Sequence, residues 1–241
     1  MICKQRVLCL SGWAQNSESL TPVFNELNQN LEIINFDYSK YNQIDDLFFA
    51  LKNLNKNLEI SPDILCGWSL GGQLAIRLIA AKIFNPKLLI LIAPPFQFVK
   101  SPTISAAMPE SAFFEFRNNF AKSPDKTLKR FSILSLMNDK NAAQLISNLQ
   151  ITDENHHNLI FWLDELKRFS CHEIDFSNFP PTLLIQGAGD MVVHSNQAQL
   201  FKEKIPDLKL EILSNSGHAP HLGNLEKVRE IIKEFIDFNF S

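Results

Sequence analysis

Three short stretches of this chain hold the side chains that acyl transfer requires. They are a hydroxyl in Gly67-Trp68-Ser69-Leu70-Gly71-Gly72, a carboxylate in Gly187-Ala188-Gly189-Asp190 and an imidazole in Gly217-His218-Ala219-Pro220. A serine hydroxyl attacks a carbonyl once a base takes its proton, and a carboxylate on the far nitrogen keeps that base in the right tautomer. The glycines explain the spacing around Ser69. An apolar run, 64–66, precedes it and a helically spaced run, 73–81, follows, so the serine falls on a tight, strained strand-to-helix turn. Side chains two residues before and two after would collide in that turn, and glycine removes both collisions. The turn aims the Leu70 amide and the start of a helix at negative charge developing on a substrate oxygen. The loop Ser11-Gly12-Trp13 offers a second amide, that of Trp13. Ser69, Asp190 and His218 are therefore read as the catalytic set, with Trp13 and Leu70 as backbone donors.

Each residue also has a plainer reading. Asp190 could form a turn or cap a helix near His194, and His218 could cap a loop. Order and context favour chemistry, because serine, acid and histidine follow one another at the carboxyl ends of apolar strands, where α/β sheets bind ligands. The remaining histidines are poorer bases. His156 and His157, beside Asp153 and Glu154, read as a solvated face, and His172 lies in the same long stretch. His194 follows Asp190 too closely to be its partner, while His221 is placed at the border of the pocket. No acid follows the run 87–92, so Asp190 has no rival there. Cys3, Cys9, Cys66 and Cys171 lack metal-ligand spacing, and Cys9 and Cys66 read as small apolar fillers of buried strands. Neither a metal nor an organic cofactor is expected.

The elements that must position these residues show as short apolar runs alternating with helix-spaced segments, the pattern of a parallel sheet covered on both faces. Strands are expected at 6–10, 31–36, 64–68, 87–92, 182–186 and 209–213, with helices near 20–27, 44–53, 73–81 and 225–238. The stretch 96–181 is far longer than an ordinary connection, and its spacing reads as helical throughout. The expected organisation is an α/β core, 1–95 with 182–241, of about six mostly parallel strands, and an inserted all-helical cap, 96–181, over Ser69. Most cap phenylalanines serve packing, and those left underneath line a pocket for an acyl chain. Trp13, Trp68, Phe96, Phe131 and His221 are the substrate-binding candidates.

With 241 residues, 45% hydrophobic and 20% charged, the chain can form one α/β domain with an inserted subdomain. A net charge of −3 excludes the basic footprint of a nucleic-acid binder. No run reaches the roughly 18 apolar residues of a membrane span, and no signal-like segment precedes the first strand. Unpaired thiols fit a reducing compartment. A cytoplasmic monomer without nucleic-acid or membrane partners is expected.

The Gly-Trp-Ser-Leu-Gly-Gly turn, the Gly12-Trp13 pair and the Gly-His-Ala-Pro turn together resemble the BioH-type pimeloyl-[acyl-carrier protein] methyl ester esterases. These belong to the α/β-hydrolase superfamily and act in biotin synthesis. The likeness covers most of the chain, including the Ala93-Pro94-Pro95-Phe96 exit into a four-helix cap. It implies an esterase that removes the methyl group of a completed pimeloyl chain, with Ser69, Asp190 and His218 as triad and Trp13 and Leu70 as oxyanion donors. It also implies an acidic carrier protein held by basic cap residues. The matching stretch is 126–131, flanked by Arg117 and Lys122, and on a helix Lys122, Lys126, Lys129 and Arg130 fall near one face. An ordinary solvated face is the alternative.

Three departures bear on substrate detail more than on hydrolysis. Ser11 stands where the family usually has histidine, Tyr38-Ser39-Lys40-Tyr41 replaces a Gly-rich segment, and the first strand matches the family's third, so a sheet shorter by two is expected. Besides the carrier-bound methyl ester, a general short-chain carboxylesterase or thioesterase stays open. A non-hydrolytic lyase or binding scaffold is a third reading, against which the full set of three residues argues.

Overall fold

The computed structural model describes residues 4–27, 30–57, 61–139, 142–146, 149, 151–152 and 155–241; Cys3, Asp153 and Glu154 lie outside them. Six strands, β1 (Gln5–Leu10), β2 (Leu31–Asn35), β3 (Ile64–Trp68), β4 (Leu88–Ile92), β5 (Thr182–Gly187) and β6 (Leu208–Leu213), form one sheet in the order β2-β1-β3-β4-β5-β6. Every pairing is parallel. The helices are α1 (Thr21–Phe24), α2 (Ile44–Asn57), α3 (Leu70–Ala80), α4 (Glu110–Lys122), α5 (Pro124–Ser135), α6 (Ala142–Leu145), α7 (His156–Arg168), α8 (Gln197–Lys204), α9 (Pro220–Gly223) and α10 (Leu225–Phe240).

Alternation at period two divides the central strands β1, β3, β4 and β5 between two dry faces. Val7, Cys9, Ile64, Cys66 and Ile90 pack with α10, whose Val228, Ile231, Ile232, Phe235 and Ile236 recur at helical spacing. Leu8, Leu10, Leu65, Leu89 and Leu91 pack on the other face with Leu47 and Leu51 of α2 and with α3. Burial on both faces is why these strands read as continuous apolar runs. The helix expected over 20–27 is shorter. The Asn16 side chain caps residues 17–20 into a 3-10 turn, leaving a single α-turn, α1.

β1 lies between β2 and β3, so the chain reverses its direction of travel across the sheet after β2. Cys9 stands opposite Cys66 and Leu10 opposite Gly67, which brings the loop after β1 beside the turn after β3.

Between β4 and β5 run α4 to α7. This stretch departs from the expected continuous helix, because residues 96–109 are irregular and carry Pro102 and Pro109. Buried Gln197 holds that strap. Its amide donates to Gln97 O (3.0 Å) and Ala106 O (2.7 Å), and its oxygen accepts from the Phe96 and Gln97 amides at 2.8 and 3.1 Å. On α7, Leu159, Trp162, Leu163 and Leu166 are buried, and Glu165 bonds Arg77 of α3 at 2.7 Å. No described helix is long and apolar enough to cross a membrane.

Candidate active site

Ser69 has φ 53° and ψ −118°, a left-handed conformation that L-residues rarely adopt. Its amide donates to Ile92 O at 2.8 Å, tying the turn to β4. A Cβ on Gly67 would stand 2.4 Å from Gly71 O, and one on Gly71 2.1 Å from Leu10 O. The collisions anticipated from the spacing are therefore real. Strain held by surrounding structure is the mark of a reactive turn.

The hydroxyl of Ser69 lies 2.8 Å from His218 Nε2, and His218 Nδ1 lies 2.7 Å from Asp190 Oδ2. Asp190 accepts from the Val192 and Val193 amides through Oδ1, both at 2.8 Å, and from Gln186 Nε2 through Oδ2 at 2.8 Å. Three N–H donors besides the ring face these carboxyl oxygens, and with Oδ2 as an acceptor the imidazole N–H belongs on Nδ1, leaving Nε2 free to accept from Ser69. All three side chains are buried: Ser69 is 5% exposed, Asp190 7% and His218 1%. Water competes little for these hydrogen bonds.

The Trp13 and Leu70 amides donate to no other described group, which leaves both available to an oxyanion. The Ser11 hydroxyl donates to Gln15 O at 3.2 Å and braces their loop from within, in place of the family's histidine. Over Ser69 lies a cavity of about 30 Å³, walled by Trp13, Met108, Phe116, Phe131, Leu134 and Val192 among others. Its lining is almost wholly apolar. A larger cleft of about 600 Å³ beside Lys82, Phe84, Glu173 and Phe179 contains no member of the relay.

This constellation sits in a matching frame. The model of the family described as "Alpha/beta hydrolase family" covers residues 7–231. The chain belongs to the α/β hydrolase family.

Among related α/β hydrolases, it is 28% identical over 227 residues to the pimeloyl-[acyl-carrier protein] methyl ester esterase of Nitrosomonas europaea, spanning 90% of this chain and 89% of that protein. It is also 28% identical over 253 aligned positions to the biotin biosynthesis bifunctional protein BioHC of Teredinibacter turnerae, spanning 94% of this chain and 44% of that one. An esterase from Exiguobacterium antarcticum superposes with a TM-score of 0.87 at 21% identity, covering 99% of this chain and 93% of the other, a likeness of fold.

Within this hydrolase frame, the structure brings Ser69, Asp190, His218, Trp13, Leu70 and Phe131 together. It places Trp68, Phe96 and His221 elsewhere. Trp68 points into the opposite core, where its indole N–H donates to His218 O at 2.9 Å and its ring lies 3.0 Å from a Cβ position on Gly12. Phe96 packs on Phe201 at 5.0 Å. His221 is buried against the Trp68 ring at 4.4 Å, and neither ring nitrogen has a partner among the described residues. Burial, aided by His218, lowers its pKa to about 3, so it stays neutral.

Lys122, Lys126, Lys129 and Arg130 are exposed but do not share one helix. α4 ends at Lys122 and α5 begins at Pro124. Arg117 is engaged by Asp164 at 2.6 and 2.7 Å. The sequence reading missed Met108, Phe116 and Leu134 in the pocket and Gln186 behind Asp190. Gln186 closes the β5 run just before the glycine-rich loop, and that placement was the available signal.

Proposed function

We propose that this chain is a serine carboxylesterase whose substrate is a pimeloyl-[acyl-carrier protein] methyl ester, with residues 96–181 acting as a cap. The observation that carries this reading is the Ser69–His218–Asp190 relay at the floor of an apolar cavity. Ser69 Oγ attacks the ester carbonyl while His218 Nε2 takes its proton, and the amides of Trp13 and Leu70 receive the oxyanion. Collapse expels the alkoxide, methoxide for a methyl ester, and His218 returns the proton to give the alcohol. Water then enters with His218 as base and releases the free acid and Ser69.

The relatives named for the carrier-bound ester support the substrate, as does the cap surface. Lys126, Lys129 and Arg130 are exposed on α5, and no described acid pairs with them. Exposed Ile133 follows on α5 at helical spacing, and exposed Met137 lies in the turn just past its end. A cationic and apolar strip fits an acidic, partly apolar partner. The size of the cavity favours a second reading, a short-chain carboxylesterase, because about 30 Å³ admits a small acyl group without movement of the cap.

The test is a gel-shift assay of methyl-pimeloyl carrier protein beside hydrolysis of p-nitrophenyl acetate. Demethylation by the wild type and not by Ser69→Ala is expected. Cleavage of the small ester alone would leave the second reading standing. Lys126→Ala combined with Arg130→Ala should raise KM for the carrier-bound ester about tenfold and spare the small ester. Equal loss on both substrates would contradict a docking role.

A further inference from the structure

The turn after α5 touches both loops of the relay, yet it takes no part in the bond-making steps of hydrolysis. Ser135 O, at the C-terminal end of α5 and with no other partner among the described residues, takes the His218 amide at 2.9 Å. Asn138, at φ 73°, donates from Nδ2 to Gly189 O at 2.8 Å. Asp139 Oδ1 accepts the Gly217 amide at 3.1 Å and the Ser216 hydroxyl at 3.2 Å. The Gly189 amide bonds Ser216 O at 2.9 Å, so the two loops are also tied to each other. The fit is close: a Cβ on Gly223 would stand 2.2 Å from Asp139 Oδ1, and one on Gly217 3.0 Å from Oδ2.

Asp139 is buried, and its Oδ2 has no hydrogen-bond partner among the described residues. A carboxylate half-satisfied in the interior is costly, and a neutral amide would serve Gly217 at lower cost. Burial pushes the Asp139 carboxyl up, the Gly217 and Ser216 hydrogen bonds oppose that, Asp190 pushes it further up, and His218 draws it down. Its charge and the histidine's therefore feel each other.

We propose that Asp139 is a positioning residue for His218: it pins the histidine loop within reach of Ser69 and Asp190, and its negative charge favours the imidazolium formed during acylation. The proposal rests on the triad reading given above. His218 is faced by Ser69 and Asp190 in hydrogen bonds, by the Trp68 ring at 6.0 Å, and by Asp139 and neutral His221 through space. Phe131 and Leu134 of α5 line the cavity. One helix thus joins the acyl pocket to the catalytic base.

The test compares wild type, Asp139→Asn and Asp139→Ala in p-nitrophenyl acetate hydrolysis across pH, with the His218 Nδ1 proton followed by NMR. Asp139→Asn keeps an acceptor for Gly217 and removes the charge, so the acid limb of its kcat/KM profile should move to lower pH. Asp139→Ala should lose about 10²-fold in kcat at unchanged KM, and its Nδ1 resonance should broaden by solvent exchange. An unmoved acid limb in Asp139→Asn overturns the electrostatic role, and an unchanged resonance in Asp139→Ala overturns the positioning role. If Asp139→Ala does not fold, Asp139→Asn carries the test. A wild type that cleaves no ester overturns the triad reading instead, and the resonance still decides how His218 is held.

Discussion

Ser69 occupies a backbone conformation that costs about 1–3 kcal/mol and is maintained by its neighbours. Ser69→Ala keeps the strain and removes the hydroxyl, so kcat should fall by on the order of 10⁶ with the melting temperature nearly unchanged. Ser69→Gly removes both, and it should melt roughly 2–6 °C higher while inactive, as calorimetry would show. A melting point at or below wild type would mean that the turn stores no strain. His221 yields a prediction in pH. Its folded pKa of about 3 lies below the ordinary histidine value, so between the two the unfolded chain binds a proton that the folded one refuses. Stability is full above the unfolded value and drains as pH falls toward 3, by up to roughly 4 kcal/mol. His221→Leu should flatten urea midpoints measured over that range, and an unchanged slope would show that some other group carries the acid sensitivity. The glycine pattern around Ser69 was legible because sterics leave one solution. The burial of His221 was not, since a histidine three residues past another carries no local mark of the aromatic ring it meets.

At the scale of elements, the strands were readable to within about a residue: two-sided burial imposes unbroken apolar runs on β3, β4 and most of β5, and the edge strands β2 and β6 keep shorter apolar runs broken by charge. Residues 96–109 were misread as helical, since the helical spacing that begins at Phe113 was extended back over a stretch whose shape depends on Gln197, about a hundred residues away. The junction of α3 and α7 rests on a similarly distant pair. Glu165 is buried between Arg77 at 2.7 Å and Arg168 at 3.0 Å, and Arg77 also lies 4.9 Å from the Phe169 ring centroid. Arg77→Met leaves that acid with only the largely exposed Arg168. The expected loss is about 3 kcal/mol, a melting temperature lower by roughly 6–12 °C. Restoration by adding Glu165→Leu would show that the penalty is the unpaired charge. A single variant that melts like the wild type would mean that Arg168 suffices.

Across the whole molecule, the proposed catalytic groups lie at one edge of the sheet, where β1, β3, β5 and β6 end and where Trp13, Ser69, Asp190 and His218 follow. That much follows from parallel topology with a switch at β1 and was legible from the order of serine, acid and histidine. The Asn138–Asp139 turn was not, because its partners are backbone groups of distant loops and the turn has no motif of its own. Its place within the segment between β4 and β5 limits how that segment can diversify. Closing a long excursion between two strands adds little entropy cost over a short one, so lineages could exchange such excursions and gain new substrates. Here the excursion also supplies the rear wall of the histidine loop. A transplanted replacement would yield a folded but sluggish catalyst unless it brought its own carbonyl, amide and acid to the same four loop atoms. Substrate range and catalytic competence in this lineage would then be inherited together.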